Sequence, residues 1–244
     1  MFDLTDFDLR DMAECSAALR KIGNGAESLL DVADNTVRFI YDNFQHGDGT
    51  RSCALVRFFK THRYEELTDE LQQFADQVSG SDRVSPDTFC LTLLATAGDE
   101  PNWNTVSASQ GHRAIPLHSE QILDQSPMIS QLVHQFGIDA STVLRPHTDL
   151  LVDVEQTTFN VFHVADAKGS PYVPAQETFV IPYRIQSVLG FGGMLPTGEL
   201  FAVILFSKVE IPRQTAEMFR TLALSVKVAI LPFSNRPLFN RLER

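Results

Sequence analysis

Between Ala26 and Phe44, apolar residues recur at spacings of three and four: Leu29, Leu30, Ala33, Val37, Ile40, Tyr41 and Phe44. That period gathers them on one face of a helix. His46-Gly47-Asp48-Gly49 ends it. A helix is also predicted from about Thr5 to Leu19, capped by Thr5 or Asp6, with Leu9, Met12, Ala13 and Leu19 as its apolar points. A third, near Tyr64 to Val78, carries Tyr64, Leu67, Leu71, Phe74, Ala75 and Val78. The short apolar run Cys53 to Phe59 has strand length. From Thr88 to Ala97, Phe89, Leu91, Leu93 and Ala95 alternate with Cys90, Thr92, Leu94 and Thr96, the period of a strand.

The middle is less regular. Gly98 to Leu117 reads as a long polar loop around Trp103. Helices are predicted near Ser119 to Leu123 and from Ser126-Pro127, the latter with Ile129, Leu132, Val133 and Phe136 on its face and Gly137 at its end. Thr157 to Ala165 reads as a strand and Ala167 to Gln176 as a loop. Thr178 to Tyr183 and Ile185 to Met194 read as strands; a tight turn at Pro196-Thr197-Gly198 leads to the apolar strand Leu200 to Phe206. A helix then starts at Pro212, with Ala216, Phe219, Leu222, Ala223, Val226, Ala229 and Ile230 on one face, and ends before Pro232. Antiparallel strands flanked by terminal helices define an α+β domain.

Composition narrows the function. The 244 residues carry a net charge of −11 and no basic stripe, which disfavours nucleic acid as a partner. With 43% hydrophobic residues, 18 of them Phe, the chain can build a full core. Cys15, Cys53 and Cys90 lie far apart without a CxxC, so neither a disulfide framework nor a metal cluster is expected. The start, Met1-Phe2-Asp3-Leu4-Thr5-Asp6, is acidic and does not resemble a signal peptide. No apolar stretch reaches the roughly 18 residues that span a bilayer. The expectation is a cytoplasmic protein that does not engage membranes.

The closing segment has a recognisable form. Val180-Ile181-Pro182-Tyr183 precedes Val188-Leu189-Gly190, then a turn, the strand Leu200 to Leu205, and the helical run Leu222-Ala223-Leu224-Ser225-Val226-Lys227-Val228-Ala229. It resembles the end of a GAF domain, as found in N-terminal sensory regions of bacterial sensor kinases and nucleotide cyclases. The resemblance covers Phe179 to Ile230 and extends to Ala26 through element order. It implies a GAF-like α+β fold, with a central antiparallel sheet of about five or six strands and the N- and C-terminal helices packed on one face. The opposite face would form a ligand pocket. The implied organisation is a helical extension over residues 1–24, the sensory domain over residues 25–233, and a tail or linker over residues 234–244.

Candidate chemistry is sparse. No Asn-Lys pair matches cyclic-nucleotide-binding relatives, and neither Cys53-Ala54 nor Cys90-Leu91 matches a bilin attachment site. Gly190-Phe191-Gly192-Gly193 lies ahead of a turn rather than a helix, so it reads as a bulge or a close backbone approach, not a phosphate cradle. Asp149, Asp153 and Glu155 read as a solvated acidic patch. Of the seven histidines, His163 draws most interest, because it shares strand parity with Phe159 and Val161 and would contact a ligand if that face lines the pocket. The alternative is a core-edge histidine with a hydrogen-bond partner. Trp103 would cap a pocket or anchor its loop. Tyr183 and Arg184 complete the candidate ligand-binding set, with Arg184 as a fork for a carboxylate or phosphate or as a surface residue.

Two functional expectations follow. One is a non-enzymatic sensory or regulatory domain that binds an unknown small molecule or a partner. It would act as a homodimer on an output domain, a kinase or a cyclase, through a transmitter helix bearing Phe219, Leu222 and Val226. The other is a ligand-free dimerisation or scaffolding domain whose pocket is packed with Phe. The sequence names no cofactor.

Overall fold

A computed structural model of the chain describes residues 1–80, 83–109, 111–117, 127–130, 160–234, 236 and 238. Helix α1 (Leu9–Lys21) and helix α2 (Leu29–Asn43) lead into strand β1 (Cys53–Arg63). Helix α3 (Asp69–Ser79), strand β2 (Phe89–Gly98) and the short strand β3 (Ala114–Pro116) follow. Strands β4 (Asn160–Val164), β5 (Ser187–Met194) and β6 (Leu200–Ser207) precede the C-terminal helix α4 (Arg213–Ile230).

The strands form one six-stranded sheet in the order β3-β2-β1-β6-β5-β4. Every pairing is antiparallel. The two central strands, β1 and β6, lie far apart in sequence, and the chain builds one half of the sheet on each. The expected turn links β5 to β6: Leu195 donates to the Glu199 carbonyl at 2.7 Å and Gly198 donates to the Leu195 carbonyl at 2.9 Å. Gly192 marks the close approach expected of the glycine-rich run, since a Cβ there would sit 2.0 Å from the Phe201 carbonyl oxygen.

Helices α1, α2 and α4 cover one face. Val56, Phe58, Leu189, Phe191, Val203 and Leu205 meet Val37, Ile40, Phe219 and Val226 there in one continuous core. Aromatic rings supply much of its bulk: Phe44 and Phe219 have centroids 5.9 Å apart, and Phe191 meets Phe219 edge-on at 5.4 Å. The chain start belongs to this core. Phe2, Leu4 and Phe7 are buried, and Phe2 donates to the Asn43 carbonyl at 2.9 Å. Helix α1 likewise places Cys15 and Leu19 in this core and packs against α4.

Local chemistry explains the helix boundaries. Asp8, not Thr5 or Asp6, caps α1, accepting from Arg10 and Asp11 and forming a capping box. Its buried residues are Cys15, Ser16 and Leu19, whereas Leu9 is 69% exposed. Ser28 caps α2 through Asp31 in the same way. Thr68 caps α3, so the predicted start at Tyr64 becomes a separate 3-10 turn, Tyr64–Glu66.

Two further expectations are corrected. Thr178 to Tyr183 is not a strand: Gln176–Val180 forms a π-helical turn that continues as turns to Arg184. Val180 donates to the Ala175 carbonyl at 3.0 Å and Ile185 to the Val180 carbonyl at 2.9 Å, so the backbone groups are satisfied locally, without a strand partner. The second concerns Gly98 to Leu117, which is not all loop. It holds the turns Pro101–Asn104 and Val106–Ala108 and then strand β3 on the sheet edge. Residues 127–130 are helical with Ile129 buried, as expected; the helix near Ser119 and the acidic patch Asp149, Asp153 and Glu155 lie outside the described residues.

Candidate functional site

The face of the sheet away from α1, α2 and α4 carries the candidate site. Leu55, Phe59, Leu91, Leu93, Ile204 and Phe206 form its floor. Arg57 stands in the middle of that floor. It pairs across the sheet with Thr96 on β2 and Ile204 on β6. Its neighbours Val56 and Phe58 point into the helix-side core, so period-two alternation turns Arg57 the other way. The register shift between Phe58 and Phe59 places both Leu94 and Ala95 on the helix side of β2 and leaves Thr96 beside Arg57.

Over this floor run the segments 99–109 and 176–185. Thr96 donates its hydroxyl to the Trp103 carbonyl at 2.8 Å. Asn104 pins the turn, donating to the carbonyls of Gly98 and Glu100, each at 2.9 Å. The Trp103 ring lies 4.4 Å from the Tyr183 ring and 5.4 Å from Phe179. Phe179 in turn meets Phe206 edge-on at 5.0 Å. Burial and nearby Glu100 raise the Tyr183 phenol above its ordinary range. Two of the sequence candidates, Trp103 and Tyr183, are therefore brought together, and the loop-anchoring role of Trp103 coexists with a ring presented to this face.

The other two candidates lie elsewhere. His163 shares its face with Val161, which packs on the helix-side core, whereas Phe162 and Val164 face the candidate site. Its imidazole lies near Ile211 and Arg213 at the start of α4, and burial followed by the Arg213 charge lowers its pKa against the Ile211 hydrogen bond. Arg184 holds φ of 54°, the left-handed region, and lines a separate open cavity of about 480 Å³ with Asp166, Lys168 and Glu210. Tyr183 turns toward Trp103 while Arg184 turns toward this second cavity.

The expected transmitter residues are also relocated. Phe219, Leu222 and Val226 are no more than 1% exposed and fill the core between α4, α1 and the sheet. A residue already buried within its own chain cannot present a surface to a partner. On α4 it is Leu224 and Val228, four residues apart, that stand exposed.

The residues that sequence reasoning passed over are Arg57, Ser109 and His112. Arg57 Nη2 reaches Ser109 Oγ at 3.4 Å. Its Nε is buried and meets no hydrogen-bond partner among the described residues. Burial pushes the guanidinium pKa down to about 10. His112, with φ of 62°, is held below the ordinary imidazole range first by burial and then by the Arg57 charge. A lone Arg inside an apolar strand, on the parity of Leu55 and Phe59, was the available signal. The three cysteines are free and buried, and burial pushes each thiol up to about 12, which keeps them protonated. Among the described residues no group of three His, Cys, Asp or Glu is placed to hold a metal. No described helix is long and apolar enough to cross a membrane.

No family model and no curated protein matches the sequence. Among solved structures, the chain is similar to the GAF domain from Acinetobacter phosphoenolpyruvate-protein phosphotransferase, at 14% identity and a TM-score of 0.42, over 90% of this chain and 92% of that one. It is also similar to free methionine-R-sulfoxide reductase from Neisseria meningitidis, solved in complex with its substrate, at 11% identity and a TM-score of 0.47, over 94% and 95%. The fold assignment stands on the chain's own geometry: a six-stranded antiparallel sheet, ordered β3-β2-β1-β6-β5-β4, with the terminal helices on one face, is a GAF-like α+β fold.

Proposed function

We propose that this chain is a sensory or regulatory domain that binds a small molecule on the sheet face carrying Arg57, Trp103 and Tyr183. The convergence of a guanidinium with the Trp103–Tyr183–Phe179 rings on that face carries the reading. Small-ligand sites combine aromatic walls with a few placed polar groups. Among the described residues, Phe2, Phe7, Phe44, Phe58, Phe191, Phe201 and Phe219 pack on the other face rather than in the pocket they were expected to fill. The role is regulatory rather than catalytic, and the protonated state of the buried thiols accords with it. Ligand binding would reach an output domain through α1 and α4, which pack against each other.

A second reading, a homodimeric scaffold in the cytoplasm, draws support from the exposed Leu224 and Val228 on α4. Native mass spectrometry of freshly purified protein separates the two. A regulatory domain carries an added mass, or melts higher with a member of a metabolite screen. A bare dimer whose melting no metabolite moves would favour the scaffold.

A further inference from the structure

We propose that the ligand of this site carries an anionic group, a carboxylate or a phosphate, that docks on the Arg57 guanidinium beside Ser109. The inference rests on the ligand-binding reading above and specifies its chemistry.

Strand β1 places two cations in the interior, and they differ in one respect. Lys60 has a carboxylate: its Nζ lies 3.1 Å from Glu199, and the pair is 2% and 16% exposed. Arg57, three residues earlier, has none. Among the described residues no Asp or Glu forms an ion pair with it, and its one hydrogen bond goes to the neutral hydroxyl of Ser109 at 3.4 Å. Its neighbours on the sheet face are Leu55, Phe59, Thr96 and Ile204. The nearby titratable group, His112, supplies no negative charge. An unpaired guanidinium in apolar surroundings is costly, and an arriving anion removes that cost.

The geometry also favours an oxyanion over a single hydroxyl. The buried Nε–H is unused, and with a neighbouring Nη N–H it forms the side of the fork that takes two oxygens at once. Thr96 stands across from Arg57 and also holds the Trp103 carbonyl, so the Trp103 turn is anchored at the strand position beside Arg57. An anion seated on Arg57 would extend its body toward Trp103 and Tyr183.

The test uses the intact chain with benzoate, benzamide and inorganic phosphate at millimolar concentrations. Thermal melting and emission of Trp103, the single tryptophan, are the readouts. Benzoate or phosphate is expected to raise the melting temperature saturably, by roughly 5 °C. Response to benzoate alone identifies a carboxylate site, and response to phosphate alone a phosphate site. Arg57→Met is expected to weaken either on the order of 10- to 100-fold. Without ligand it should melt no lower than the wild type, because it removes an unpaired charge. If that variant does not fold, Arg57→Lys keeps the charge but loses the fork, and a weakening of about tenfold is expected. No response to either anion overturns the proposal, as does an Arg57→Met variant that melts well below the wild type yet binds as tightly. Benzamide binding the wild type as tightly as benzoate would remove the anion assignment and leave the ligand-binding reading intact.

Discussion

A Cβ at Gly98 would lie 2.9 Å from Trp103 Cε3 and 3.0 Å from the Ala54 carbonyl oxygen. The absence of a side chain there lets the indole settle against β2 and turn toward Tyr183. Gly98→Ala would force Trp103 outward and is expected to cost about 1–3 kcal/mol. Urea unfolding followed by Trp103 emission checks this: a lower midpoint and a red-shifted folded state are expected, and an unchanged spectrum would contradict it. At this scale the sequence was legible only in part. Trp103 and Tyr183 stood out by residue type, but their meeting depends on segments 80 residues apart along the chain. Arg57 did not stand out, because an arginine in a strand ordinarily faces water. Only the pairing of β1 on both edges makes its position interior.

Helix α1 rests on α4 through a polar pin as well as apolar packing. The Ser16 and Ser225 hydroxyls lie 2.5 Å apart and buried, and Arg20 donates to both, at 3.2 Å to Ser16 and 3.3 Å to Ser225. Ser225→Ala takes from the buried Ser16 hydroxyl its hydroxyl partner and is expected to cost about 1–2 kcal/mol, while adding Ser16→Ala costs less than a second independent loss. A double-mutant cycle by chemical denaturation measures the coupling; strict additivity would show that the hydroxyls do not act as a pair. The elements themselves were largely readable. Period and caps gave α2, β5, β6 and α4, because each has one apolar stripe or an unbroken apolar run with clear stops. The face of α1 was misread, because its contacts are Cys15 and Ser16 rather than the conspicuous Leu9. Residues 178–183 have strand-forming side chains but no strand to pair with, and local hydrogen bonds decided their form.

For the whole molecule, buried imidazoles set the response to acid. His62, His112 and His163 all have folded pKa values below the ordinary 6.5, with burial the first cause in each. Below pH 6.5 the unfolded chain therefore takes up protons that the folded chain resists, so stability is full above that pH and declines as pH falls below it. Asp3, Asp31 and Asp48 are shifted down from 3.8, and their contribution is lost only in stronger acid. Melting temperature is expected to fall between about pH 7 and about pH 5, ahead of the carboxylate range; a flat profile across that window would contradict the burial of these rings. The strand order carries one more consequence. Thr61 and Leu200, joined by a 2.8 Å hydrogen bond, are 139 residues apart, and Ser16 and Ser225 are 209 apart. On the ribosome, the first half-sheet waits with the inner edge of β1 unpaired until the last quarter of the protein emerges. Such distant closure makes for slow refolding, and a nascent chain stalled before residue 200 would expose a hydrophobic strand edge open to chaperones or to aggregation.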